Sequence, residues 1–301
     1  MVFVGLHDTV ARGGTMKSCV AASRPAHGFR GTRVWTRRPR SGEPVRRARA
    51  LPPPRSQVSW SNPSGSVLTP LREKVWAAER PFVWQGIDVG GKMGVVKMRD
   101  GSLWVHSPVD LDDDLRAALT EIGDVKHIVS PNFEHVKYAA QWKAAFPDAV
   151  LWGCPGMIDK KPLIPFDREV GVDDACPEEW NGEFELAFFD CEVNPFVGDP
   201  FFNEVVFHHK PSGVVLVTDL FWNYGGGGEA LPAATRAWKF GMDKVYLPFY
   251  RAFMVRDRAR FEERARRVIA WEFDSLLPCH GTFVDGRGKR ALREHLSGEN
   301  G

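Results

Sequence analysis

No run of apolar residues in this 301-residue chain approaches the roughly 18 needed to cross a bilayer as a helix, so no membrane span is expected. Cysteine is scarce and scattered: Cys19, Cys154, Cys176, Cys191 and Cys279 form no CxxC pair, which excludes a zinc-ribbon or thioredoxin-like motif. The last four are expected as buried thiols. The glycine run Gly225–Gly228 is followed by neither the Lys nor the Ser/Thr of a P-loop, so a phosphate cradle is not expected there. No repeat with a period of 20–50 residues is evident.

Acidic residues are nearly missing from the first 60 positions. Twelve Lys and Arg stand there against Asp8 and Glu43, a net charge of +10, while the remainder is −8. The segment is rich in Arg, Ser, Ala, Pro and Gly and has no apolar periodicity. That is the composition of an organelle transit peptide, and chloroplast targeting is expected, with mitochondrial targeting as the alternative. A disordered basic tail has the same composition. Residues 51–66 read as a linker. Residues 1–60 are therefore set aside as leader and linker, and residues 70–301 are taken as one folded domain. Its charges are mixed: RARFEERARRV (258–268) carries both signs at i,i+4 spacing, the mark of a solvated helix face, so no nucleic-acid partner is expected for the folded part.

Within that part the pattern becomes regular. Strands are expected at 82–89, 94–98, 102–109, 125–130, 149–154, 183–190, 203–210, 214–220 and 275–279. Helices are expected at 110–123, 133–146, 229–241, 257–273 and 287–296. Asp100-Gly101 marks a hairpin turn and Pro211-Ser212-Gly213 another. Two sheet blocks, each followed by helices, suggest an α/β fold: an αββα sandwich of two facing mixed sheets with outer helices. A single doubly wound sheet competes with it, although the hairpin-rich blocks weigh against an all-parallel sheet.

Four polar residues stand just past apolar strands, where layered α/β folds usually build their sites. Glu134 and His135 follow VKHIVS, Asp219 ends VVLVT, and His280 ends SLLPC. Two imidazoles and two carboxylates suit a borderline metal such as zinc or iron. Each also has a plain role: Asn132 can cap the following turn, Glu134 can face a helix dipole, and Asp219 can cap a loop. His208 and His209 are adjacent on a strand and point to opposite faces, so they are read as structural, with one open to solvent. His106 is read as a core or edge residue, and Trp222 and Tyr224 as candidates for a pocket wall beside Asp219.

The blocks DGSLWVHSPV, SPNFEHVKYAAQW, FPDAVLWGCPG, FFNEVVFHHKPSGVVLVTDL and LPCHG resemble a domain family of unknown function (domain of unknown function 4336) from plants, algae and bacteria, a distant relative of the metallo-β-lactamase fold. The resemblance spans about residues 82–285. It implies that the superfamily's His-x-His-x-Asp-His motif falls on Ser130–His135. Ser130 and Asn132 then stand where two His ligands would be, Glu134 replaces the Asp, and His135 is kept. Pro200 or Phe201 falls near the place of a further His. Asp219 matches the bridging Asp and His280 the last His. One metal site of two is thereby lost, and the other would be Glu134, His135, Asp219 and His280. The implied cofactor is one zinc or iron ion, or none. The implied function is a mononuclear hydrolase-like protein acting on an unspecified small molecule, with Asp219 orienting or deprotonating water. The alternative is a metal-free binding or scaffold protein of the same fold.

Overall fold

The computed structural model describes residues 58–228 and 230–297. Nearly all of the basic leader, Cys19 and position 229 lie outside them. The strands run β1 (Thr69–Arg72), β2 (Val75–Arg80), β3 (Val83–Trp84), β4 (Ile87–Asp88), β5 (Gly91–Lys97), β6 (Leu103–His106), β7 (Val125–Ser130), β8 (Val150–Gly153) and β9 (Arg168–Glu169). A second group is β10 (Phe184–Phe189), β11 (Glu204–His209), β12 (Val214–Val217) and β13 (Ser275–Pro278). The first sheet has the order β1-β2-β5-β6-β7-β8-β9 and the second β10-β11-β12-β13, with β3 and β4 forming a small hairpin. Both large sheets are mixed: β5–β6 is antiparallel and β6–β7–β8 parallel, while β11–β12 is antiparallel and β12–β13 parallel. The single doubly wound sheet is thus replaced by the two-sheet arrangement.

Strand alternation explains why the sheets stack. Val75, Ala77, Val96, Met98, Trp104, Val129 and Trp152 of the first sheet share a core with Phe184, Leu186, Phe207, Leu216 and Leu277 of the second. Trp104 sits at its centre, its ring 4.5 Å from Phe184 and 5.2 Å from Phe207 by centroids. The intervening residues Met93, Val95, Leu103, Val105, Ile128 and Leu151 face the other way. They pack under α1 (Asp113–Ile122) and α2 (Ala139–Ala145) through Leu115, Leu119 and Trp142. A short α3 (Met157–Lys160) follows β8. On the far side, α6 (Arg258–Ala270) lies on β10, Phe261 meeting Phe189 at 5.7 Å, and α7 (Gly288–Ser297) lies on β13. Before them in the chain, α4 (Ala233–Gly241) and α5 (Leu247–Phe249) are joined by a π-turn at Met242–Tyr246, and a second, Tyr250–Met254, extends the helical run.

Several expected elements differ. The strand expected at 82–89 breaks at Gln85 and Gly86, both at positive φ, into the β3–β4 hairpin. Strands β1 and β2 had no sequence expectation. The helix expected from 133 begins at Ala139, because residues 131–138 form a turn held by Asn132. Both His208 and His209 are buried, held by Glu185 at 2.9 Å and Ser212 at 2.8 Å, so neither opens to solvent. His106 is fully buried, and Cys154, Cys191 and Cys279 are buried free thiols, with Cys176 half-buried.

Candidate metal centre

Register alone places two of the side chains together. In the parallel pair β12–β13, Val217 lies opposite Pro278, and each strand runs on two residues, to Asp219 and to His280. Gly281 lets the chain turn away immediately afterwards. Its φ is +87°, and a Cβ there would lie 2.3 Å from the backbone of Asn223, so only glycine fits. The two loops are then stitched by Asn223 N–H to His280 O at 3.0 Å and Thr282 N–H to Asn223 O at 2.9 Å.

His135 reaches the same point from the first sheet. Beyond β7 the buried Asn132 folds the loop back on itself: its Oδ1 accepts the backbone N–H groups of Glu134 at 3.0 Å and His135 at 2.9 Å. This is the expected cap, made around a turn instead of a helix. The amide's other end crosses the sandwich. Asn132 Nδ2 donates to Asp219 Oδ2 at 2.7 Å and Thr218 Oγ1 at 2.9 Å, and lies 3.3 Å from Glu204 Oε2. Glu204, buried at the start of β11, accepts the N–H groups of Thr218, Asp219 and Leu220 at 2.7, 2.8 and 3.0 Å. The loop carrying Asp219 is therefore held by a carboxylate beneath it and an amide beside it.

Among the described residues, His135, Asp219 and His280 form a group whose donor atoms all lie within 4.8 Å of one another. His135 Nε2 is 3.2 Å from Asp219 Oδ2, and His280 Nε2 is 3.9 Å from Asp219 Oδ1. The remaining ring nitrogens are anchored outside: His135 Nδ1 hydrogen-bonds Ser107 Oγ at 2.6 Å, and His280 Nδ1–H donates to Gly90 O at 2.9 Å. Glu134 is not one of the three. Glu134 lies in the exposed part of the turn, although burial and the charge of Asp219 still raise its carboxyl, so the structure groups three of the four expected donors.

The electrostatics follow from the pairing. Burial works against a charged His135, but the charge and hydrogen bond of Asp219 outweigh it and hold the imidazole well above its ordinary range. Burial likewise opposes ionisation of Asp219, and His135 overcomes it, keeping the carboxyl below its usual range. His280 is pushed down by burial and by the positive His135. Burial and the Asp219 charge raise Glu204. The group is thus an imidazolium–carboxylate pair beside a neutral imidazole with one free nitrogen.

Asp219 also borders a small pocket whose wall includes Trp222, Tyr246 and Tyr250, and the Tyr224 ring lies nearly parallel to His280 at 6.4 Å. Ser107 and Glu204 had no expected role, although Ser107 directly follows β6, donates its N–H to Val129 O of β7, and holds a left-handed φ of 53° that a non-glycine residue adopts rarely. The positions of Ser130, Pro200 and Phe201 supply no donor to the group.

The αββα sandwich is the architecture of the metallo-β-lactamase fold, and comparison with solved structures agrees. The DIM-1 metallo-β-lactamase exposed to ceftazidime is 12% identical with a TM-score of 0.53, covering 76% of this chain and 94% of that one. The metallo-β-lactamase of Hirschia baltica is 9% identical with a TM-score of 0.52, covering 76% and 95%. The metal-soaked Flv1 flavodiiron core of Synechocystis sp. PCC6803 is 12% identical with a TM-score of 0.50, covering 76% and 60%. At these identities the likeness shows the fold alone. No curated protein matches the sequence. The chain belongs to the family described as a domain of unknown function (DUF4336), which is matched over residues 72–224. That span contains His135 and Asp219 and ends before His280.

Proposed function

We propose that this protein is a mononuclear metalloprotein with hydrolase-like chemistry, holding one zinc or iron ion on His135, Asp219 and His280. The supporting observation is the treatment of the two imidazoles. Each has its outer nitrogen fixed, by Ser107 or by the Gly90 carbonyl, and its inner nitrogen turned towards Asp219. Such outer anchoring orients metal-ligating histidines and sets their tautomer. Two imidazoles and a carboxylate suit zinc and non-haem iron alike, and the neighbours of similar fold include both metallo-β-lactamases and a flavodiiron core. A bound ion would lower the pKa of its water and polarise a substrate carbonyl or phosphoryl oxygen. Asp219, steadied by Asn132 and Glu204, is the residue assigned to orient or deprotonate that water. The substrate is a small molecule, for which the pocket beside Asp219 and Trp222 is the nearest concavity. A three-donor group does not provide a two-ion clamp, so efficient lactam or phosphodiester hydrolysis is not expected.

A second reading, a metal-free binding or scaffold protein, draws on one observation. Asp219 Oδ2 already accepts from the Asn132 amide and pairs with His135, so the carboxylate has a balancing partner without a bound cation. Elemental analysis of protein made without a His tag separates the two. About one equivalent of zinc or iron, lost in the H135A/D219A variant, supports the first. No metal under any loading condition leaves the second. The basic leader supports chloroplast residence, with the mitochondrion as alternative. A fluorescent fusion of residues 1–60 that stays cytosolic overturns it.

A further inference from the structure

The helical run Ala233–Met254 buries Tyr246, Leu247, Tyr250 and Met254 and leaves large apolar side chains on its other side. Phe240, Val245 and Phe253 are 65%, 62% and 63% exposed. A π-turn closes its hydrogen bonds over five residues, so the turn at Met242–Tyr246 helps keep Phe240 and Val245 on one side. Phe253 also meets the Phe249 ring at 5.2 Å. Single exposed apolar residues need no explanation, but three on one helix do.

The charges on the same run are one-sided. It carries Arg236, Lys239, Lys244 and Arg251 against a single acid, Asp243. That acid is already engaged, pairing with Lys239 and accepting the Trp222 indole N–H at 2.8 Å. Arg251 turns inward and donates to the His295 carbonyl beside the pocket, so the exposed cations are Arg236, Lys244 and, just past the run, Arg256. An apolar ridge flanked by cations is complementary to a surface that is apolar inside and anionic outside. A protein partner's hot spot would supply acids or pockets, but would not require the basic flank to be continuous with aromatic side chains. We infer that the exposed face of Ala233–Met254 docks on an anionic lipid bilayer, lying in the interface plane. No helix among the described residues is long and apolar enough to cross a membrane, so the contact is peripheral.

The test is co-sedimentation of the full chain with vesicles of phosphatidylcholine alone and of phosphatidylcholine mixed equally with phosphatidylglycerol, together with backbone hydrogen exchange. The basic leader is common to every variant, so differences between variants carry the result. Expected are binding to the mixed vesicles only, weakening with salt, and slowed exchange across 233–254. F240S/F253S should abolish the slowed exchange, and K244E should weaken sedimentation roughly tenfold or more. L163S, removing a side chain that is 88% exposed elsewhere, should change neither. Sedimentation unchanged in both helix variants, with no protection at 233–254, overturns the inference. So does self-association lost in F240S/F253S without any vesicle binding, which would assign this face to a second copy of the chain.

Discussion

Ser107 Oγ lies 2.6 Å from Nδ1 of His135, while the opposite nitrogen of the same ring lies 3.2 Å from Asp219 Oδ2. One imidazole is thus gripped at both edges, from the end of β6 and from the end of β12. Outer partners of this kind are worth roughly 10–100-fold in metal affinity. S107A is therefore expected to lower zinc affinity by about that factor, with Thr at the position restoring part of it. Competition against a chelating dye measures this. An unchanged affinity in a variant that still binds one ion would show that His135 needs no support from Ser107.

Glu204 presents a second case, in which the group acts on the loop instead of the ligand ring. Its buried carboxylate accepts three consecutive backbone N–H groups, and Asn132 bridges it to Asp219. E204A would leave three buried donors without acceptors, a loss expected at roughly 3 kcal/mol or more. N132A is expected to cost roughly 2 kcal/mol and to loosen both the His135 turn and Asp219. Urea unfolding reads both. A cost below about 1 kcal/mol in E204A would mean that water replaces the carboxylate, contrary to its burial.

The sequence made some of this legible and hid the rest for physical reasons. Strand-end position marked His135, Asp219 and His280, because apolar runs that stop at a polar residue locate the rim of a layered fold. Glu134 looked equivalent to its neighbour, yet adjacent residues in a tight turn diverge, and it is the His135 ring that Ser107 and Asp219 hold. Ser107 and Glu204 were silent because a serine after a strand and a glutamate before one are ordinary on a surface. Their burial follows from the stacking of two sheets that no local pattern encodes. Strands β1 and β2 were missed for a related reason: TPLR holds a single large apolar residue, and VWAAER runs its four apolar residues together instead of alternating them.

The buried histidines set the response to acid. Burial pushes His106 down to about 3, His295 to about 3 and His209 to about 4. The unfolded chain takes up these protons near the ordinary value of 6.5, whereas the folded chain does not. Their contribution is complete above 6.5 and is lost as pH falls through about 4 for His209 and about 3 for His106 and His295. Glu192 acts in the opposite sense: burial raises it to about 7, so its contribution is present below 4.5 and lost as pH rises through 7. With His127, His208 and His280 also pushed down and Glu134 and Glu204 also pushed up, six depressed histidines outweigh three raised glutamates, and stability should fall as pH drops from 6.5 to 4.5. Urea midpoints across that range test it, and H209N should flatten the slope by about one group's share, roughly 1 kcal/mol per unit. A stability that rose on acidification would contradict the neutral, buried state assigned to these rings.

Gly281 links backbone geometry to the site most directly. It follows His280 at a φ of +87°, with the Asn223 backbone 2.3 Å from where a Cβ would stand. An alanine there would meet both a disfavoured conformation and a rigid neighbour, so the loop must move. Because Asn223 N–H binds His280 O, that movement carries the imidazole away from Asp219. G281A is expected to destabilise the fold by roughly 2–4 kcal/mol and to weaken metal binding more than tenfold in the fraction that remains folded. The comparison with G286A is the control. Gly286 also has a positive φ, 66°, but nothing lies within 4 Å of its absent Cβ, so G286A should cost only the conformational part, roughly 1 kcal/mol, and leave metal binding unchanged. Equal effects of the two substitutions on metal affinity would show that the Asn223–Gly281 contact does not position His280.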